Sequence, residues 1–124
     1  MVPDKLIAAL KGAEELQLAV KGRRSGKDIP RPVWFVLRRN EVLFLPVRGS
    51  QTQWYKNILE NPLVRISVAS QTYGGRLETI TEKREVSEIV ELFRKKYGAG
   101  DVKKYYPRID VAARLPVARA LPSL

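Results

Sequence analysis

Residues 32–47 read Pro32-Val33-Trp34-Phe35-Val36-Leu37-Arg38-Arg39-Asn40-Glu41-Val42-Leu43-Phe44-Leu45-Pro46-Val47. Two apolar runs flank a polar centre that suits a tight turn, so the segment predicts a hairpin of strands 32–37 and 42–47. Both alternating faces of each strand are apolar, and neither face is therefore simply solvated. We expect a barrel interior on one face and a ligand or a partner subunit on the other, and we infer a homodimer.

The periodicity outside this hairpin predicts four further strands and three helices. We expect strands at 16–21, 64–69, 77–82 and 111–117, and helices at 3–11, 50–60 and 86–97, with one more helical turn at 102–106. Ser50-Gln51-Thr52-Gln53 has the spacing of a capping box, and Tyr73-Gly74-Gly75 predicts a bend or bulge. Six strands without βαβ alternation favour one domain, residues 1–124, built as a small antiparallel barrel with helices at its ends.

The composition limits the chemistry that the chain can perform. None of the 124 residues is cysteine or histidine. Histidine bases, thiolate sites and the usual zinc and haem ligand sets are therefore absent, and we predict neither a metal site nor a catalytic residue. A redox reaction would depend on an organic cofactor. The sequence also lacks a membrane-length apolar run and a signal-peptide pattern, so we expect a cytoplasmic protein.

Positive charge is concentrated near one glycine-flanked turn. The chain has a formal net charge of +10, and residues 21–39 contain seven basic residues and one acidic residue. Within them, Gly22-Arg23-Arg24-Ser25-Gly26 combines guanidinium groups, a hydroxyl and turn amides, which are the groups that bind phosphate. The segment therefore favours a phosphorylated ligand or a nucleic acid.

Five short motifs follow one another in a characteristic order: Gly22-Arg23-Arg24-Ser25-Gly26, Pro32-Val33-Trp34-Phe35, Arg48-Gly49-Ser50, Trp54-Tyr55-Lys56-Asn57 and Asn61-Pro62-Leu63-Val64. In order and spacing they resemble the split-barrel flavin-binding superfamily of pyridoxamine-phosphate-oxidase-like proteins, most closely its deazaflavin-dependent nitroreductase branch. The resemblance extends over about residues 16–117. It implies a mainly β, homodimeric, six-stranded antiparallel split β-barrel. It also implies an oxidoreductase, a flavoprotein that holds FMN or the deazaflavin coenzyme F-420 in a groove at the subunit interface.

The same resemblance implies roles for individual residues. The turn would hold a phosphate or an acidic tail through Arg23, Arg24, Ser25 and Gly26. The second strand would run beside the ring and supply main-chain hydrogen bonds through Pro32, Val33 and Trp34. The following loop and helix would close the site through Arg48, Gly49, Ser50, Trp54 and Asn57. Two late aromatic residues would face the substrate, a small conjugated acceptor such as a quinone or a nitro compound: Tyr105 and Tyr106.

Simpler interpretations stand beside these roles. Trp34 and Trp54 suit a buried core, Asn57 suits a hydrogen bond to a loop, and the two late tyrosines suit packing. At the level of function, the alternatives are a basic β-barrel that binds nucleic acid and a protein that binds the cofactor without turnover. The enzyme needs its charge around one groove, whereas a nucleic-acid-binding module needs a basic stripe with stacked aromatic residues.

Overall fold

Two four-stranded antiparallel sheets form the fold in the computed structural model, which describes residues 4–117. The strands are β1 (Glu15–Lys21), β2 (Asp28–Trp34), β3 (Val36–Arg38), β4 (Glu41–Phe44), β5 (Leu63–Val68), β6 (Gln71–Arg76), β7 (Glu78–Ile80) and β8 (Ala112–Pro116). The helices are α1 (Asp4–Lys11), α2 (Gln53–Glu60), α3 (Lys83–Tyr97) and α4 (Ala99–Tyr105), with a 3-10 turn at Gly49–Gln51. The strand order is β2-β1-β5-β6 in the first sheet and β3-β4-β8-β7 in the second.

The described residues form eight strands in two sheets, which confirms neither the six strands nor the barrel of the prediction. The predicted strand 32–37 is divided, because β2 ends at Trp34 in one sheet and β3 begins at Val36 in the other. The predicted bend at 73–75 lies inside β6. A Cβ at Gly75 would come within 2.9 Å of Leu115 Cδ1, so the glycine allows β6 to approach the second sheet closely rather than turn.

The other predicted elements are confirmed with small shifts in their ends. The hairpin exists in its second half, where β3 pairs with β4. The strongest helical pattern corresponds to α3, which ends at Gly98 with a φ of 96°, a conformation that favours glycine. Residue 3 of the predicted first helix lies outside the described residues. Among the helices of residues 4–117, none is long and apolar enough to cross a membrane.

The described residues form two apolar cores, and β4 with the residue that follows it contributes to both. Val42 and Phe44 belong to a core to which both sheets contribute, while Leu43 and Leu45 belong to a second core with α3 and α4. The doubly apolar pattern of this strand is therefore satisfied within the chain, not by a partner or a ligand. The pattern of β4 therefore gives no argument for a homodimer, whereas β2, the other strand from which the homodimer was inferred, is not buried.

Side chains at the end of α3 bind the main chain of Phe35, the residue at which the predicted strand divides into β2 and β3. Phe35 is fully buried, and its N–H donates to Tyr97 Oη at 3.0 Å. Its carbonyl oxygen lies 2.9 Å from both Tyr97 Oη and Lys96 Nζ, and Lys96 Nζ also lies 3.7 Å from the centre of the Phe35 ring. The Tyr97 hydroxyl reaches Glu14 O at 2.6 Å as well. Lys96 and Tyr97 thus satisfy the main-chain groups of a buried residue that lies between the two sheets.

An ion-pair network joins α3 to the second sheet. Arg38 Nη2 lies 2.6 Å from Glu41 Oε1 and 3.0 Å from Glu85 Oε2, and Arg114 Nη1 lies 3.0 Å from Glu85 Oε2. Burial alone would raise the pKa of Glu85, but its hydrogen bonds and charge interactions with Arg114 and Arg38 outweigh burial and lower it. The ionised carboxylate therefore stabilises the folded state.

We expect Tyr97→Phe to lower the free energy of unfolding by about 1–3 kcal/mol, because it leaves the buried N–H of Phe35 and the carbonyl of Glu14 without their hydroxyl partner. Urea denaturation checks this value. Tyr105→Phe is the control, since Tyr105 is 47% exposed and its change should have little effect. An equal loss in the two variants would contradict the role of the Tyr97 hydroxyl.

We expect Glu85→Gln to destabilise the protein by about 1–3 kcal/mol at pH 7, because two guanidinium groups lose a charged acceptor. The lowered pKa means that this contribution is present above the ordinary value of 4.5 and disappears as the pH falls through the folded-state pKa. Urea denaturation of both proteins at several pH values measures the difference. Glu88→Gln is the control, and a difference independent of pH would contradict the assignment.

Candidate functional site

A continuous groove follows the outer edge of β2. This strand ends the first sheet, and no strand of residues 4–117 pairs with its other edge. Three adjoining cavities of about 530, 350 and 370 Å³ lie along it. Arg31 and Gln53 line the first and second cavities, and Pro32, Val33, Val47 and Trp54 line the second and third. We call the three cavities together the β2 groove.

The first cavity is the cationic end of the β2 groove. Arg23, Arg24, Ser25 and Arg31 line it, and no carboxylate does. Arg24 and Arg31 form no ion pair with any described residue. The Nε atom of Arg31 is buried without a hydrogen-bond partner in the described part of the chain. A buried, unpaired guanidinium nitrogen is costly, and a bound anion would satisfy it.

Arg23 differs from its neighbours because α2 already holds it. Its Nη1 donates to Asn57 Oδ1 at 2.6 Å and its Nη2 to Gln53 Oε1 at 2.9 Å. The main-chain N–H of Arg23 also donates to Asn57 Oδ1, at 3.3 Å. Asn57 therefore forms hydrogen bonds to a loop, which is the simpler of the two roles predicted for it. These bonds fix the turn that contains Arg24. Because Asn57 and Gln53 already accept from both terminal nitrogens of Arg23, this residue contributes more to the position of the turn than to binding of an anion.

Prolines determine what the outer edge of β2 can offer a ligand. Pro30 lies opposite Ala19 and Pro32 opposite Gln17 in the β1–β2 ladder. Prolines occur on edge strands where the missing N–H faces away from the ladder, so these two positions present only carbonyl oxygens to the groove. Val33, opposite Leu16, directs its main-chain groups towards β1. Of the three residues expected to supply main-chain hydrogen bonds, Pro32, Val33 and Trp34, Pro32 can therefore only accept one through its carbonyl, and Val33 offers none to the groove.

The third cavity is the aromatic end of the β2 groove. Trp34, Trp54, Tyr105 and Tyr106 line it. The Trp34 ring stacks on Tyr97 with a centroid distance of 4.0 Å and meets the edge of Tyr105 at 5.5 Å. This stacking fixes one flat apolar wall of the cavity. Trp54 also packs on Phe44 in the first core, so its packing interpretation is correct alongside its place in the groove.

Tyr106 is the buried polar residue of the aromatic end. It is 6% exposed, and its hydroxyl has no hydrogen-bond partner in the described residues. Burial, and to a lesser degree Tyr97, raise the pKa of Tyr106, so the phenol stays protonated. A protonated phenol that lines a cavity can donate a hydrogen bond to a ligand.

Sequence reasoning missed two carboxylates at this end, Glu15 and Asp101. Asp101 lies in the first turn of α4, where an acidic residue is common for structural reasons, and Glu15 is the first residue of β1. Neither position carries a sequence signal for a site.

The loop at 48–50 is closed by a residue that the sequence did not indicate. Ser50 donates to Asp110 from its N–H at 2.8 Å and from its hydroxyl at 2.7 Å. The predicted capping box is therefore wrong: Thr52 is the residue before α2, and its Oγ1 accepts from Arg48 N–H at 2.7 Å. Ser50 and Asp110 are 60 positions apart, so only the tertiary structure reveals this pair.

The structure brings eleven of the predicted site residues together along the groove. They are Arg23, Arg24, Ser25, Asn57, Pro32, Val33, Arg48, Trp54, Trp34, Tyr105 and Tyr106. Gly26, Gly49 and Ser50 line none of the three cavities. Gly26 instead closes its turn by donating to Gly22 O at 2.8 Å. The assignment of these residues to cofactor or substrate remains a prediction.

Comparison with known proteins places the chain in a family. A family model described as "Uncharacterized protein conserved in bacteria (DUF2255)" matches residues 6–117. The chain belongs to the DUF2255 family. A search of the curated proteins finds no match to this DUF2255 protein.

Solved structures share the fold of the DUF2255 protein at low identity. An F420-H2 dependent reductase (FDR-A) is 15% identical, with a TM-score of 0.64 over 82% of this chain and 93% of its own. A putative 5-nitroimidazole antibiotic resistance protein from Bacteroides thetaiotaomicron is 12% identical, with a TM-score of 0.70 over 96% of this chain and 83% of its own. A putative pyridoxamine 5'-phosphate oxidase from Listeria innocua is 14% identical, with a TM-score of 0.69 over 94% and 93%.

The matches also include HutZ, the heme storage protein from Vibrio cholerae, and a domain-swapped dimer. At these identities the likeness shows the fold alone. The DUF2255 protein shares its fold with the reductase, the resistance protein and the oxidase named above, which agrees with the resemblance drawn from the five motifs.

We expect Gly49→Ala to destabilise the protein by about 1–3 kcal/mol. Gly49 has a φ of 55°, and an added Cβ would overlap Asp110 Oδ1, which holds Ser50. Thermal unfolding measures the loss. Gly100→Ala in α4 is the control, because its Cβ would meet nothing within 4 Å and alanine favours a helix. A Gly49→Ala protein as stable as the control would contradict the tight closure of this loop.

Proposed function

We propose that this protein is a flavin- or deazaflavin-dependent oxidoreductase that transfers hydride between FMN or coenzyme F-420 and a small conjugated acceptor. The observation that carries the proposal is the polarity of the β2 groove, with unpaired arginines at one end and an aromatic cavity at the other. A ligand with a phosphate and a planar ring matches both ends. The fold shared with an F420-H2 dependent reductase supports the same class of ligand.

The cationic end would hold the phosphate or acidic tail. Arg24 and Arg31 have no carboxylate partner in residues 4–117, and Ser25 adds a hydroxyl beside them. Asn57 and Gln53 hold Arg23, which keeps the turn in place before a ligand arrives. A turn that is already ordered loses less entropy when it binds an anion.

The middle of the groove would receive the ring. The Pro32 carbonyl can accept from a ring N–H, and Arg48 in the same cavity supplies positive charge. When bound, the ring supplies the hydride chemistry, which the side chains of this protein lack. The protein positions the acceptor and excludes water with Trp34, which its stacking on Tyr97 immobilises.

The aromatic end would bind the acceptor, such as a quinone or a nitro compound. Tyr105 is exposed at its rim, and the hydroxyl of Tyr106, a residue that is itself buried, can donate a hydrogen bond to an acceptor oxygen. Such a bond favours an oxygen that gains negative charge as hydride arrives. Tyr106 is thus a candidate for substrate orientation.

The proposal includes a homodimer built from a single split-barrel domain of residues 1–124. The fold shared with a domain-swapped dimer supports this assembly. Ile29 is 36% exposed and Val47 is 46% exposed beside the β2 groove, which provides apolar surface for a second subunit next to the cofactor.

The alternatives have weaker support in the site. A haem role, as the name of HutZ suggests for that protein, would lack the usual axial ligands, because this chain has no histidine and no cysteine. Nucleic acid would meet Glu15 and Asp101 at the aromatic end, where stacked bases need a neighbouring cation. The third alternative, a protein that binds the cofactor without turnover, is distinguished from an enzyme by measuring whether the bound, reduced cofactor is oxidised by an acceptor.

Fluorescence titration of the purified protein with FMN and with coenzyme F-420 tests the proposal. We expect saturable binding of one of them, and Arg24→Ala should weaken it by about 1.5–3 kcal/mol through loss of a charged hydrogen bond. Lys27→Ala is the matched control, because it removes one cation from the same loop but does not line the groove.

Three outcomes would overturn parts of the proposal. If the folded Arg24→Ala protein and the Lys27→Ala control bind the cofactor with equal affinity, Arg24 does not bind its phosphate or acidic tail. Binding of neither cofactor, together with tight binding of a single-stranded oligonucleotide, would favour the nucleic-acid alternative. Cofactor binding without oxidation of the reduced cofactor by menadione or a nitroaromatic compound would leave a binding protein and contradict the proposed enzyme.

A further inference from the structure

A second cavity lies away from the β2 groove, between α1, β3 and the end of α3. Its volume is about 490 Å³, and none of its lining residues lines the groove. Its apolar lining comes from two elements of the chain: Ile7 and Leu10 of α1, and Val36 and Leu37 of β3. We call it the α1–β3 cavity. Its volume is within the range of roughly 300–1,000 Å³ that small-molecule sites occupy.

Three cations complete the lining of the α1–β3 cavity, and no carboxylate does. They are Lys11, Arg39 and Lys96. None of the three forms an ion pair within residues 4–117. Three positive charges around one apolar cavity repel one another, and an anion placed between them would relieve that repulsion.

The surroundings of Lys96 give the best support for binding of an anion in the α1–β3 cavity. Lys96 is an exposed residue, but its ammonium donates to Phe35 O at 2.9 Å and lies over the Phe35 ring, so these two contacts hold the charge at the wall of the cavity. Partial burial lowers the pKa of Lys96, against a smaller opposing effect from the charge of Glu14. An anion in the cavity would favour the charged form.

The conformation of Arg39 adds a second observation. Arg39 lies in the β3–β4 turn with a φ of 53°, in the left-handed region that favours glycine and asparagine. An arginine there costs conformational energy, and its side chain lines this cavity. Ala69 in the β5–β6 turn has a φ of 52° as well, so the conformation belongs to this kind of turn, and what Arg39 contributes to the cavity is its charge.

We propose that the α1–β3 cavity binds an anionic amphiphile of the fatty-acid class, a single carboxylate on an unbranched apolar chain. Lys11, Arg39 and Lys96 would receive the carboxylate, while the apolar residues of α1 and β3 would cover the hydrocarbon. The apolar floor distinguishes this ligand from inorganic phosphate, and the cations distinguish it from a neutral hydrocarbon. The proposal is independent of the proposed oxidoreductase activity.

Isothermal titration calorimetry with sodium decanoate, below its micelle concentration, tests this site in the full chain. We expect one saturable site per chain, and the double variant Lys11→Gln/Arg39→Gln should bind decanoate about tenfold more weakly or worse. Both residues are exposed and outside every ion pair of the described chain, so the variant should fold, which circular dichroism verifies. Lys95→Gln/Arg84→Gln is the matched control, because it removes the same charges from outside the cavity.

Two further measurements test where decanoate binds and whether its negative charge is required. Saturation with the cofactor that binds the groove, or the Arg24→Ala change, should leave decanoate affinity unchanged. Decyltrimethylammonium, which has the same chain and the opposite charge, should not show saturable binding. The proposal is overturned by no saturable decanoate binding, by equal affinity in the two double variants, by competition from the cofactor, or by equal binding of the cationic amphiphile.

Discussion

The hydrogen bonds that Lys96 and Tyr97 make to the main chain of Phe35 are the constraint on which the rest of the structure depends. Residues 32–37 form one apolar run, yet Trp34 ends a strand of the first sheet and Val36 begins a strand of the second. Phe35 between them is fully buried, and its main-chain groups would be costly without partners. Lys96 and Tyr97, adjacent at the end of α3, provide those partners. A helix terminus thereby determines where one sheet stops and the next begins.

The position and chemistry of the groove follow from this division. Because the chain leaves the first sheet at Trp34, the outer edge of β2 stays unpaired in the described structure, and the same Tyr97 that holds Phe35 stacks on Trp34 to form the wall of the aromatic end. Pro30 and Pro32 protect that edge against pairing with another strand, since they cannot donate to a ladder. An edge that is free of strands but bordered by unpaired arginines suits a small anionic ligand better than β-sheet extension.

Much of the fold and part of the candidate site could be predicted from local patterns. The α3 helix follows from apolar residues at helical spacing and a terminal glycine, and β1, β5 and β8 follow from simple alternation. The motif order also predicted eleven residues that now line one groove. The division at Phe35, the extended Gly74-Gly75 and the Ser50–Asp110 pair could not be predicted, because each depends on contacts between residues that are distant in sequence.

The sequence by itself determined the element types, the absence of imidazole and thiol chemistry, and the concentration of arginine near one turn. These properties are local or compositional, so periodicity and counting are sufficient to read them. Only the tertiary structure decided which arginines are free. Arg23 is held by Asn57 and Gln53, whereas Arg31 has a buried, unpaired nitrogen. It also decided that the second face of β4 is covered by the chain's own helices. The physical reason is that burial and pairing depend on which distant side chains share a space, and local patterns do not specify that.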